Sequence, residues 1–461
     1  MEDADTTVFY NDEDDCLDYE CLHNNVEYDY DYTDSEKETL HDLYQHCLSP
    51  SLFDTGHYIL PLLGSTILFR LLVHTEYISH QVFHILSVII GLYIIQHYVH
   101  ESLIVLIVFV LFSYGTLHVP KRWHKGAGIF LPSLLIIAYC ELSMQPVIWH
   151  RIRSVIMTMV MKAISVAIDT NDLNNLPDVY SYMGYMFCSV TCLFGPWVSF
   201  KDYLSLRYSS SQTRWWIICS IGFAFLSFVF LSISNCWTQW IFVDNSWKWL
   251  IAYKDALSFR TSHYFVSYIA SALLVFGGFP LSSSTIVKPL YIEFPRSLVQ
   301  VVIFWNIPMH HWLKTYIFRP SIKNLGKFGA VIITYLISSL LHGLNFQLAA
   351  VLLSLGLYTY VEFQLRATLA DTFDACIASK QCTKRKCMHK YSSHNCIVFM
   401  TNLMFSFGAI FHLAYLGLMF DTSDLQETGY SYNHTINKWA ELGFASHWVA
   451  LATYCIYLLT K

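Results

Sequence analysis

Apolar runs of about 17–25 residues recur from near residue 57 to the C-terminus, and no motif in the chain limits its folding as strongly. Each run is long enough to cross roughly 30 Å of hydrocarbon as a helix. A bilayer offers no water to backbone N–H and C=O groups, so an element that spans it must satisfy them internally, and a helix does. The composition agrees, with 54% hydrophobic and only 13% charged residues, about half the charged share of a soluble domain. The expected fold class is all-α: a polytopic transmembrane helical bundle of about eleven spans, with short re-entrant or amphipathic helices between them.

The spans are expected near residues 57–75, 80–98, 101–118, 127–144, 180–197, 215–236, 262–280, 328–342, 344–363, 396–418 and 444–460. Two further stretches, 146–168 and 289–318, read as amphipathic. The first carries Arg151, Arg153 and Lys162.

Charge divides the chain unevenly. Residues 1–48 hold 16 Asp or Glu and one basic residue, Lys37; the remainder has 18 acids against 27 bases, a net +9. Residues 1–50 therefore read as a disordered acidic tail, and residues 51–461 as the membrane-embedded domain. The tail has no basic n-region and does not read as a cleaved signal peptide, so the first apolar segment is expected to direct insertion. The 13 Cys follow no regular framework. Cys188, Cys192 and Cys219 sit in apolar segments as small hydrophobes, and no disulfide scaffold is expected.

Basic loops set the orientation. Lys121-Arg122-Trp123-His124-Lys125, then Lys314, Arg319, Lys323 and Lys327, then Lys380, Lys384, Arg385, Lys386 and Lys390 all belong on the cytosolic side. Counting spans back from residue 121 puts the acidic tail in the lumen. The chain's single Asn-x-Ser/Thr sequon, Asn433-His434-Thr435, falls in a loop that the same count makes lumenal.

Two positions stand out chemically. The apolar run from Phe328 to about Val361 is too long for one span and too short for two ordinary ones. Its strong interruption is Leu341-His342-Gly343, where glycine permits a sharp turn. Two shortened helices meeting there would hold the His342 imidazole at membrane depth. An ionisable group in such a place is a functional candidate, and imidazole can take and return a proton near neutral pH. The alternative is a buried histidine that hydrogen-bonds a neighbouring helix. The second position is Asn306 in Trp305-Asn306-Ile307-Pro308-Met309, where Pro308 forces a bend. An amide here either stabilises a developing oxyanion or caps a helix, and spacing alone favours the cap.

Other features read as structural. Glu362 and Arg366 form a four-apart surface ion pair, and Arg70 pairs or snorkels. Phe194-Gly195-Pro196-Trp197 ends a span. Cys382, Cys387, His389, His394 and Cys396 match no strong zinc spacing and read as free or palmitoylated thiols. Walker, GxSxG and HExxH motifs are absent from the sequence.

An Asn on an irregular stretch followed some 36 positions later by a His in an apolar run resembles the signature of the membrane-bound O-acyltransferase family. The strings Phe194 to Phe200, Phe294 to Leu298, Trp305 to Met309, Ser339 to Gly343, Leu348 to Leu355, Phe411 to Gly417 and Lys438 to Trp448 resemble the branch that acylates Wnt proteins. The likeness runs from about residue 52 to the C-terminus. It implies a multi-pass protein of the endoplasmic reticulum membrane. The donor would be palmitoleoyl-CoA entering from the cytosol, the acceptor a Wnt serine entering from the lumen, and the product an O-palmitoleoyl ester. It implies His342 and Asn306 as the catalytic pair, and substrate contacts from Trp305, Met309, Trp312, Arg296, Ser339 and Leu341. It implies membrane lipids around the chain, no permanently bound cofactor, no metal and no nucleic-acid partner. The competing expectations are a family member with a lipid or other secreted-protein acceptor, and a non-enzymatic receptor or transporter. Only one clear helix break argues against the paired broken helices of transporters.

On this topology Asn433 carries an N-glycan and the 374–395 loop is open to the cytosol. Enzymatic deglycosylation is expected to shift the wild-type band and leave Asn433→Gln unmoved. Protection of the loop from added protease in intact microsomes would overturn the assignment.

Overall fold

The computed structural model describes residues 39–100, 103–118, 125–170, 176–208, 215–242, 247–382, 387–420 and 432–461. Most of the acidic tail, the basic string Lys121 to His124, and Lys384, Arg385 and Lys386 lie outside the described residues, as do the expectations placed on them. Among the described residues the structure is helical apart from turns and one isolated bridge between Ala375 and Tyr391.

The helices, in chain order, are α1 Leu40–His74, α2 His80–Val99, α3 Leu103–Thr116, α4 Lys125–Ser143, α5 Pro146–Asp169, α6 Val179–Met186, α7 Ser189–Cys192 and α8 Phe200–Ser205. They continue with α9 Trp215–Ile241, α10 Lys248–Gly277, α11 Leu298–Trp305, α12 Ile307–Leu341, α13 Phe346–Phe373, α14 Cys396–Gly417, α15 Tyr432–Glu441 and α16 Ala445–Thr460. By length and composition α1, α2, α9, α12, α13 and α14 can each cross a membrane, and the bent pair α15–α16 makes a seventh. The outward faces carry exposed Leu60, Leu71, Ile218, Phe225, Met404 and Leu458, as lipid contact requires. The protein is a multi-pass, all-helical membrane protein.

Several elements differ from the sequence expectation for physical reasons. The 180–197 run is not one span: it breaks into α6 and α7 and an irregular segment through Phe194 and Trp197. The break is satisfied from α5, which is not a surface amphipathic helix but the buried centre of the main core. Lys162 is fully buried, and its ammonium donates to Tyr185 O (2.9 Å), Met186 O (3.3 Å) and Thr191 Oγ1 (2.8 Å). Trp197 adds an indole bond to Ser165 Oγ at 3.1 Å. The polar face of α5 thus points inward to orphaned backbone instead of outward to headgroups. Likewise α12 and α13 are not short: each extends outward beyond the apolar run, α12 with a kink at Gly326, α13 to 28 residues. Only their inner ends meet at His342.

Buried polar contacts tie the ends of the helices together. Arg70 donates to Phe276 O at 2.8 Å, an otherwise orphaned carbonyl in the last turn of α10, and lies 3.5 Å over the Trp216 ring. Glu362 and Arg366 are buried, not a surface pair. Glu362 accepts the Leu298 N–H at the start of α11 (2.8 Å), and Arg366 donates to Arg296 O (2.9 Å) and Asn402 Oδ1 (2.7 Å). Cys47 and Cys236 form a disulfide, which places the start of α1 and the end of α9 on one side of the bundle. The sequence reading expected no disulfide scaffold and did not identify this pair.

Lys162→Met keeps the apolar stem and removes the ammonium. The three acceptors it leaves unpaired predict a loss of about 1–3 kcal/mol and a melting midpoint lower by a few degrees in detergent. An unchanged midpoint would show that the break between α6 and α7 does not depend on Lys162.

Candidate active site

Two broken-helix segments bring the candidate chemistry together. The first is the bend between α11 and α12. Its extended backbone at Asn306 (φ −148°, ψ 93°) pairs with the 286–288 segment: Ile307 N–H donates to Ile286 O at 2.8 Å and Lys288 N–H to Phe304 O at 3.1 Å. Asn306 Oδ1 accepts the Met309 N–H at 3.0 Å, so the residue does cap α12 as spacing suggests. That bond commits the oxygen and turns the amide nitrogen into the group available for donation. On α10, the His263 ring stacks on Trp305 with centroids 4.5 Å apart and bonds Trp305 O through Nε2 at 2.9 Å. A carbonyl only accepts, so the His263 proton sits on Nε2.

The second segment is the gap between α12 and α13. His342 caps α12, with its N–H on Ser339 O at 3.0 Å, and its ring is half-buried. Gly343 follows with φ +102°, a left-handed value that explains why glycine stands there. The Leu344 N–H donates to the Glu141 carboxylate of α4, and Asn345 Oδ1 accepts from Leu348 N–H at 3.1 Å to start α13. A Cβ on Gly343 would sit 2.6 Å from Glu141 Oε2 and 3.1 Å from the Trp149 ring, so the turn is pressed against α4 and α5. His263 thus holds the carbonyl beside Asn306.

The other expected site residues fall into two groups. Trp305 and Met309 flank Asn306, and the buried Ser339 and Leu341 form the last turn of α12 under His342. Trp312 is fully buried, with its indole N–H on Met161 O at 3.0 Å, so it anchors α12 to α5. Arg296 points away toward the 374–395 loop, donating to Cys376 O at 2.8 Å and Ala378 O at 3.2 Å. Asn433 is exposed in α15. Sequence reasoning missed Glu141, Arg153 and His263, although charge or imidazole within an apolar helix was the available signal. It also missed a second buried network in which His412 bonds Ser446 (2.5 Å) and His447 bonds Tyr415 (3.1 Å).

A half-buried imidazole on one stretch of broken backbone and an amide donor on another, in a helical membrane protein, suit a proton-transfer step on an apolar substrate. The family model of MBOAT, membrane-bound O-acyltransferase family, matches residues 149–380, which include every residue of that pair. The chain belongs to the membrane-bound O-acyltransferase family. Relatives similar over nearly their full length are each named protein-serine O-palmitoleoyltransferase porcupine. The one from Anopheles gambiae is 33% identical over 91% of this chain and 94% of its own length. Those from Mus musculus and Homo sapiens are each 34% identical over 93% of this chain and 99% of theirs.

Gly343→Ala forces an L-residue into φ +102° against Glu141. A cost of about 1–3 kcal/mol is expected for that strain, with the His342 ring displaced. The variant should melt earlier than wild type and lose any acyl-transfer activity at least tenfold, by analogy with the cost of misplacing a positioned group. Wild-type stability and rate in Gly343→Ala would show that the turn is not required.

Proposed function

We propose that this chain is a protein-serine O-palmitoleoyltransferase that moves palmitoleoyl from palmitoleoyl-CoA to a serine of Wnt proteins in the endoplasmic reticulum membrane. The observation that carries the reading is the His342–Gly343 break, which holds an imidazole at the meeting of two spanning helices. The near full-length likeness to enzymes of that name supports the substrate pair.

The chemistry follows from the groups present. A serine hydroxyl is a weak nucleophile and needs a base. His342 takes its proton as the oxygen attacks the thioester carbonyl. The carbonyl oxygen gains negative charge, and the Asn306 amide N–H is the donor poised for it. The tetrahedral intermediate then expels the CoA thiolate, which receives the proton from the His342 imidazolium. The product is an ester and free CoA thiol. The helical bundle supplies the dry environment that an acyl chain and a charged transition state both require.

The two substrates enter from opposite faces. The Cys47–Cys236 disulfide supports a lumenal position for the start of α1 and the end of α9, since such bonds persist in the oxidising lumen. That agrees with the side assigned to exposed Asn433. Basic loops on the cytosolic face would attract CoA phosphates.

His342→Ala is expected to fold and bind acyl-CoA while losing transfer by about a hundred- to ten-thousand-fold, the usual contribution of a positioned base. Asn306→Ala should lose about ten- to a thousand-fold, and the double variant should fall far short of the product of the two. Purified proteins are assayed with palmitoleoyl-CoA and a Wnt-derived serine peptide, with lysophospholipid as control acceptor. Transfer by His342→Ala within about threefold of wild type, judged against the loss expected of a base, removes it from the mechanism. Transfer to lysophospholipid alone removes the protein acceptor.

A further inference from the structure

The 374–395 loop holds a cluster that the acyl-transfer chemistry does not use. Sequence reading grouped Cys382, Cys387, His389, His394 and Cys396. The structure instead selects Cys376, Cys382 and Cys387, whose three sulfurs lie within 4.8 Å of one another. His389 stands beside two of them, its Nδ1 3.7 Å from Cys382 Sγ and 3.6 Å from Cys387 Sγ. Cys396, at the start of α14, is exposed and free. The missing member was Cys376, which sits just past the end of α13 and six positions before the group read from spacing.

We propose that Cys376, Cys382, Cys387 and His389 bind one structural Zn²⁺. Three thiols and one imidazole nitrogen are a known donor set for a closed tetrahedral zinc site. With Zn–S about 2.3 Å and Zn–N about 2.0–2.1 Å, tetrahedral ligation separates a bound sulfur from a bound nitrogen by about 3.6 Å. Both observed S···N distances have that length.

The surroundings fit a structural role. The first and last donors are pinned in register. Cys376 N–H donates to Tyr391 O at 2.9 Å, Tyr391 N–H to Asp374 O at 3.0 Å, and Lys390 N–H to Asp374 Oδ2 at 3.0 Å. The thiols pack with Ala375, Ile377, Leu369, Val398 and Phe405 in a small apolar cluster, so the site is shielded on its bundle side. Backbone carbonyls around it receive Arg296, Arg366 and the Asn402 amide. The redox side of the membrane decides between the two fates of clustered cysteines. On the topology proposed above, Cys47 and Cys236 face the lumen and are bonded, whereas this loop faces the cytosol, where thiols stay reduced and metal is the commoner occupant. Metal binding by this loop does not depend on the identity of the acyl acceptor.

The test uses full-length protein purified in detergent without chelator, with metals counted by inductively coupled plasma mass spectrometry. About one Zn²⁺ per chain is expected, the stoichiometry of a closed four-ligand site, and at least a fivefold drop in a Cys382→Ser, Cys387→Ser double variant. Less than about one-fifth of that occupancy in wild type, or an undiminished content in the variant, overturns the proposal. To separate metal loss from unfolding of the variant, wild-type thiols are also probed with maleimide before and after a zinc chelator. Cys376, Cys382 and Cys387 should be protected until the chelator is added, while exposed Cys396 reacts throughout. Equal labelling before and after, or a hydroxylamine-labile acyl mass on these cysteines, overturns it as well. The first result would leave thiol–imidazole hydrogen bonds as the contact, the second S-acylation.

Discussion

Backbone groups at membrane depth cannot turn to water, and the whole arrangement depends on how this chain satisfies them where its helices stop. Three breaks among the described residues each use a different device. Between α6 and α7 a buried ammonium, Lys162, takes two carbonyls and a hydroxyl. At Asn306 a short extended pairing with 286–288 supplies the missing partners. Beyond His342 the Glu141 carboxylate accepts the free Leu344 N–H and Asn345 caps the next helix. Each device spends a polar group that a lipid-facing helix cannot afford, so each break is surrounded by protein. The catalytic candidates lie at two of these breaks because only there is a ring or an amide released from helical geometry.

How much of this was legible depended on whether the signal was local. The turn at Gly343 and the bend at Pro308 were legible, because positive φ and the constraint before proline are properties of single residues. The cap at Asn306 was legible for the same reason. The role of α5 was not. Periodicity reveals that a helix has a polar face, but not whether that face meets headgroups or the orphaned carbonyls of another segment, and Lys162 does the latter. Glu362 and Arg366 show the same ambiguity: four-residue spacing is identical for an exposed pair and for one that caps a buried helix. The break within the 180–197 run between α6 and α7 was not legible because the ammonium that satisfies it, Lys162, sits on another helix. Cys376 was overlooked because it follows a long apolar helix, whereas the fold returns the chain to it at Tyr391.

The two halves of the candidate site are held by different parts of the bundle. His342 is set by α4 and α5, through Glu141 and Trp149 against the Gly343 turn. Asn306 is set by α10 and α11, through His263 and the extended pairing. His263 bonds the Trp305 carbonyl beside Asn306 through Nε2, so its ring proton is committed there.

That division gives α11 a mechanical meaning. It is a helix of eight residues, about 12 Å long at 1.5 Å per residue. Its first N–H is capped by Glu362, and Arg366 grips the carbonyl of Arg296 just before it. Arg296 in turn holds the backbone of Cys376 and Ala378. Its other end is Asn306. A rigid strut therefore runs from the loop after α13 to the Asn306 amide, the donor proposed for the reacting carbonyl. Loosening the loop would free Arg296 and unseat the near end of the strut, and an eight-residue helix pinned at one end alone is too short to hold its far end in register. Positioned donors lose their value over displacements of about 1 Å, so the proposed role of Asn306 as a donor would depend on the order of that distant loop.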